Sequence, residues 1–127
     1  MYITQVGKTY KIVRDIDFEG FIGNPVTYNM QLKSNFEGNN MEIRNYSIYK
    51  NDTVNYIGLF KSIKGVNVRN LILKPQSIKA TNSFAVGGLA GEIDGARLYN
   101  ITIDKSDLLK FIIISSNLQY DKCHTST

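Results

Sequence analysis

The chain has one cysteine, one histidine and two prolines among 127 residues. A single cysteine excludes an intramolecular disulfide framework. A single histidine, His124, excludes His-rich metal sites and any mechanism that needs two histidines. No apolar run approaches the roughly 18–20 residues of a membrane-spanning helix, so no membrane span is read. The first residues, Met1-Tyr2-Ile3-Thr4-Gln5-Val6-Gly7-Lys8, lack the basic start, apolar stretch and small-residue cleavage site of a secretory signal. The location this implies is cytoplasmic, or cell surface or secreted if the sequence is excised from a longer chain. No motif implies a cofactor or a metal.

What is present fits a single folded domain over residues 1–127. Hydrophobic residues make up 43% and charged residues 20%, enough apolar surface for a core and too little charge for wholesale disorder. The net charge of +4 permits an anionic partner without demanding one.

Internal repetition is the strongest signal. Residues 57–73, IGLFKSIKGVNVRNLIL, align without a gap on residues 87–103, GGLAGEIDGARLYNITI. Gly58 matches Gly88, Leu59 matches Leu89, Ile63 matches Ile93, Gly65 matches Gly95 and Asn70 matches Asn100. The second half of the unit recurs as IRNYSI at 43–48 and VRDIDF at 13–18. Aligned on these segments, Val13, Ile43, Val68 and Leu98 share a column. Asp15, Asn45, Asn70 and Asn100 share another, and Phe18, Ile48, Leu73 and Ile103 a third.

Within each unit, large or β-branched apolar residues alternate with polar ones, the period of strands and not of helices. Glycine and asparagine punctuate the units as turns require. The expected fold is therefore all-β: a short right-handed parallel β-helix of about four rungs, each strand pairing with its equivalents above and below. Rungs are expected over about 10–105, a C-terminal strand or cap over 106–118 and a polar tail over 119–127. The Asp/Asn column is placed at a corner, where short polar side chains bond local backbone and stacked asparagines bond one another.

These motifs resemble the GLUG repeat. The similarity is carried by IGLF…G…NL, by VGGLAG…G…NI, by the leading Tyr10–Phe18 segment and by Phe36-Glu37-Gly38-Asn39-Asn40, and covers about residues 10–105. The GLUG repeat is found in bacterial surface proteins and in the non-catalytic region of immunoglobulin A1-cleaving zinc metallopeptidases. The resemblance implies a scaffold fold and no particular activity. The chain has no His-Glu-x-x-His motif, so the peptidase activity does not carry over, and the repeat stops after Ile103.

The alignment places Arg14, Arg44 and Arg69 in one outward column, with Arg97 near its end. Two readings of this column are open: neutralisation by Glu42, Asp15 or Asp17, or a track for phosphates or an acidic protein face. Lys64 aligns with Asp94 as a cross-rung ion pair. The apolar run Phe111, Ile112, Ile113 and Ile114 is either a cap on the last rung or a self-association edge able to form a homodimer. Cys123 and His124 are neighbours in the tail and do not form a catalytic pair.

The function expected is non-catalytic binding of a protein or nucleoprotein partner through surface ladders and loops. Direct nucleic-acid contact would run through Arg14, Arg44, Arg69 and Arg97. One version is a stand-alone intracellular inhibitor of a nucleic-acid enzyme, of the anti-CRISPR type. The alternatives are a segment of a bacterial surface adhesin or secreted protease scaffold, and a polysaccharide-acting β-helix enzyme.

Overall fold

The thirty-residue repeat reappears as strand pairing. A computed structural model of the protein describes residues 7–20, 24, 25, 27, 30–50, 54–80, 83–86, 88–104, 119–121 and 124–126. In chain order its strands are β1 (Thr9–Lys11), β2 (Ile16–Asp17), β3 (Gln31–Leu32), β4 (Asn35–Arg44), β5 (Ser47–Lys50), β6 (Val54–Ile57) and β7 (Phe60–Lys64). There follow β8 (Asn67–Lys74), β9 (Ser77–Ala80), β10 (Ser83–Val86), β11 (Ala90–Asp94), β12 (Arg97–Asp104), β13 (Gln119–Asp121) and β14 (His124–Ser126). The fold is all-β, and every pairing among the described residues is parallel.

One sheet dominates, ordered β1-β4-β8-β12-β13, with β2 also on β4 and β14 also on β12. A second sheet runs β11-β7-β3, and β10-β6 and β5-β9 form two-stranded sheets. Parallel strands need a long connection to return to the same edge. Here the strands of the other sheets supply it, so from β3 to β12 sequence neighbours lie in different sheets and repeat equivalents lie side by side.

The gap-free alignment of 57–73 on 87–103 is the register of the structure. Ile63 lies opposite Ile93 and Leu73 opposite Ile103. Earlier in the chain the expected columns need correction. Ile43 lies opposite Leu73, not Val68, and Ile16, not Val13, lies opposite Ile43. Val13 is 71% exposed. The displacement arises in β4. Glu37 pairs with Arg69 and Met41 with Leu71, so three residues, Gly38, Asn39 and Asn40, face the single Asn70. This bulge lengthens β4 and hides the repeat spacing.

Apolar side chains stack in rows across the sheets. Leu32, Ile63 and Ile93 form one row, and all are fully buried. Ile43, Leu73 and Ile103 form a second; Phe36, Val68 and Leu98 form a third. Within β8, Val68 and Leu71 both point inward although three residues apart. Plain alternation would turn one of them out. Asn70 between them has a φ of 57°, and this left-handed residue bends the strand and resets its phase. Asn100 at 56° does the same between Leu98 and Ile101 in β12.

Two polar and aromatic details complete the core. Tyr46 is fully buried, and its hydroxyl donates to the Gly88 carbonyl at 3.1 Å. Burial raises the pKa of that phenol, keeping it a neutral donor. Phe36 meets Phe60 edge to face at 5.9 Å, joining the two larger sheets.

The residues read as a polar tail carry β13 and β14, both paired with β12. Residues 105–118, with Phe111, Ile112, Ile113 and Ile114, lie outside the described residues.

Glycine is needed where layers touch. A Cβ on Gly38 would overlap the Asn70 carbonyl, and one on Gly58 would sit 2.7 Å from the Ala90 backbone. Gly38→Ala and Gly58→Ala should each lower the unfolding free energy by on the order of 1–3 kcal/mol through overpacking. Urea denaturation checks this, and unchanged midpoints would contradict the close approach.

Candidate interaction face

The outer surface of the large sheet is built from rows of polar side chains, because the residues between the buried ones alternate outward. One row runs Thr9, Asn35, Asn67 and Arg97. The next runs Lys11, Glu37, Arg69 and Tyr99. Between them lies a hollow of about 150 Å³ lined by Thr9, Asn35, Phe36, Glu37, Asn67 and Arg69.

The asparagine corner holds these rows in place. Asn100 donates its amide to Asn70 Oδ1 at 2.9 Å and to Asn40 Oδ1 at 3.4 Å. Asn40, Asn70 and Asn100 all have a φ between 56° and 59°. A stacked asparagine corner matches the sequence expectation in kind, but Asn40 takes the place beside Asn70 and Asn100 expected for Asn45. Asn45 occupies a separate turn, donating its backbone N–H to the Lys74 carbonyl and its amide to Asp17 Oδ1 at 2.8 Å. Asp15 lies beside Ile16 and accepts from the Glu42 N–H at 2.9 Å, so it too is outside the corner.

Each arginine of the expected column has a different position. Arg69 stands between Glu37 and Tyr99, whereas Arg44 stands between Asp17 and Lys74. The stacked column is therefore not formed, because the β4 bulge separates residues that the IRN and VRN segments superimpose. Arg14 is exposed in the connection between β1 and β2, and Arg97 is exposed at the start of β12.

Arg44, Arg69, Lys74 and Lys64 each contact at least one carboxylate. Arg44 lies 3.1 Å from Asp15, 3.2 Å from Asp17 and 3.2 Å from Glu42. Lys74 adds a contact to Glu42 at 3.0 Å. Arg69 Nε donates to Glu37 Oε1 at 2.6 Å. Lys64 lies opposite Asp94, as aligned, and its ammonium is 3.2 Å from Glu92.

These contacts set the ionisation. The Glu42 N–H, then Arg44, hold the Asp15 carboxyl below its usual range. The Asn45 amide, the Glu19 N–H and Arg44 do the same for Asp17. Partial burial pushes Glu37 up, but the Asn39 N–H, the Asn70 amide and Arg69 together outweigh it and lower its pKa. Asp17, Asp15 and Glu42 raise that of Arg44. Among the described residues no group of three or more His, Cys, Asp or Glu could hold a metal ion, and no helix is long and apolar enough to cross a membrane.

Sequence reasoning anticipated the partners of Arg44 but missed Glu37. That carboxylate joins the ion-pair row to the asparagine corner, accepting from Arg69, from the Asn39 N–H at 2.7 Å and from the Asn70 amide at 3.1 Å. Its place beside Arg69 depends on the bulge, which no local motif signals. Comparison with protein-family models, curated proteins and solved structures finds no match to this chain.

Two outcomes follow from this geometry. Asn70→Gly keeps the left-handed backbone but loses the amide contacts, and should cost about 1–2 kcal/mol. Asn70→Ala adds left-handed strain of about 1–2 kcal/mol. Equal stability of the two variants in urea would contradict the corner's strain.

The lowered carboxyl pKa values make the fold acid-sensitive. Unfolded Asp and Glu titrate at about 4. With folded values below that, the stabilisation is complete above the unfolded pKa and is lost as pH falls through the folded ones. Urea midpoints should therefore drop progressively below about pH 5, and Glu37→Gln should make the drop shallower. A flat profile from pH 6 to about pH 3 would contradict these assignments.

Proposed function

We propose that the chain is a non-catalytic binding protein. Its body is a short right-handed parallel β-helix of about four rungs, of the GLUG type, and its outer rows and loops engage a macromolecular partner. The observation that carries this reading is the regular outer face of the large sheet, where Lys11, Glu37, Arg69 and Tyr99 project at strand spacing beside the Thr9–Asn35–Asn67–Arg97 row. Arginine and tyrosine on a rigid scaffold are the side chains that anchor protein interfaces. Tyr99 is 39% exposed and the Arg69 side chain 62% exposed.

A nucleic-acid enzyme as the partner, blocked by an inhibitor of the anti-CRISPR type, draws its support from the net charge of +4. The alternating ion pairs favour a mixed-charge protein face over a bare phosphate backbone. A second reading, a scaffold segment of a surface or secreted protein, is favoured by the thirty-residue stacking, because such bodies lengthen by adding repeats.

Affinity capture from a lysate of the source cell, with and without nuclease and read by mass spectrometry, tests the proposal. The expected result is one nuclease-resistant protein partner whose recovery falls at least tenfold with Arg69→Ala/Tyr99→Ala. Circular dichroism establishes that this variant folds. Equal recovery with the variant would overturn the assignment of the face. Recovery of envelope material alone would favour the scaffold reading.

A further inference from the structure

Five large hydrophobic residues are exposed among the described residues, and three cluster at one end of the large sheet. Tyr10 is 40% exposed, Val13 71% and Ile16 40%. They belong to β1, β2 and their connection, the first layer of the sheet, which pairs on one side with β4. Lys8 and Ile12 bond β4 through the Lys8 carbonyl and the Ile12 N–H. Alternation in a parallel strand then points the main-chain groups of Thr9 and Lys11 away from β4, toward the side on which no strand pairs among the described residues.

At the other end, β13 and β14 pair with β12 and with no other strand among the described residues. Their register continues the same rows. Tyr120 falls in the row of Tyr10, Phe36, Val68 and Leu98. Asp121 falls in the row of Lys11, Glu37, Arg69 and Tyr99. Thr125 falls in the row of Ile16, Ile43, Leu73 and Ile103.

We propose that the β1–β2 edge of one copy docks in parallel on the β13–β14 edge of a second copy, so that chains associate head to tail. One further strand spacing of about 4.8 Å brings Lys11 of one copy to Asp121 of the other, Tyr10 to Tyr120 and Ile16 to Thr125. Tyr10 and Ile16 continue the rows of Leu98 and Ile103, and Lys11 beside Asp121 continues the alternation of sign seen between Lys11, Glu37 and Arg69. Joining two β1–β2 edges with their outer faces on the same side would run the strands antiparallel and lose this match. A head-to-tail contact is heterologous and leaves one free edge of each kind, so it propagates into open chains of copies. This edge shares Thr9 and Lys11 with the outer face proposed for the partner but excludes Arg69 and Tyr99, and the inference does not depend on that reading.

Sedimentation velocity and light scattering over a range of protein concentrations test it. The average mass should rise with concentration. Thr9→Pro, which removes an edge N–H while leaving the bonds to β4, should weaken association at least tenfold. Lys11→Asp and Asp121→Lys should each weaken it, and the two together in one chain should restore it. Thermal unfolding by circular dichroism reports that each variant is folded, and the charge pair decides the outcome should Thr9→Pro not fold. A single-chain mass at every concentration would overturn the proposal. So would self-association that ignores Asp121→Lys, or a double variant as weak as the single ones.

Discussion

The left-handed asparagine corner is the constraint on which the remaining structure depends. A strand with strict alternation presents one face inward along its whole length. In β8 and β12 a single residue of positive φ breaks that alternation, so that both halves of each strand bury their large side chains. Asparagine meets two demands at once. It tolerates the left-handed region better than other residues with a Cβ, and its amide links one layer to the next. Asn100 donating to Asn70, and Asn70 donating to Glu37, turn a local backbone requirement into a contact between layers.

Everything outward follows from the stacking those corners permit. Because equivalent residues lie one strand spacing apart, like charges at one repeat position would face each other closely, which destabilises a sheet. Lys11, Glu37 and Arg69 alternate in sign along their row, and where Arg44 lies opposite Lys74 the carboxylate of Glu42 contacts both cations. Glu37 separates Lys11 from Arg69, and Arg44 sits among Asp15, Asp17 and Glu42. Individually, exposed pairs of this kind contribute little. The outer face that results is of mixed charge, with Tyr99 and Arg69 exposed on it.

The sequence carried the fold class and half of the register. Residues 57–73 and 87–103 contain no insertion relative to each other, so matching glycines, apolar positions and asparagines identified true neighbours. The matching failed across β4. There IRN at 43–45 looks like VRN at 68–70, and short-range similarity favoured superimposing them. Register is decided instead by which apolar residues share the interior and by where the backbone can approach closely. Gly38 packed against Asn70, with three residues facing one, is a tertiary feature without a local signature. The stacked arginines disappeared with that shift, and Glu37, thirty-two residues before Arg69, became visible as its partner.

The register of β4 against β8 is the central claim, since the asparagine corner, the charge rows and both proposed surfaces are built on it. Engineered disulfides measure it directly in a background with Cys123→Ser. A disulfide needs a Cα separation of about 4.4–6.8 Å, which adjacent parallel strands provide only at matched positions. Glu42→Cys with Ile72→Cys, which lie opposite each other, should cross-link readily on mild oxidation, and Glu42→Cys with Asn67→Cys should not. Efficient cross-linking of the second pair in place of the first would restore the stacked-arginine alignment and contradict the account.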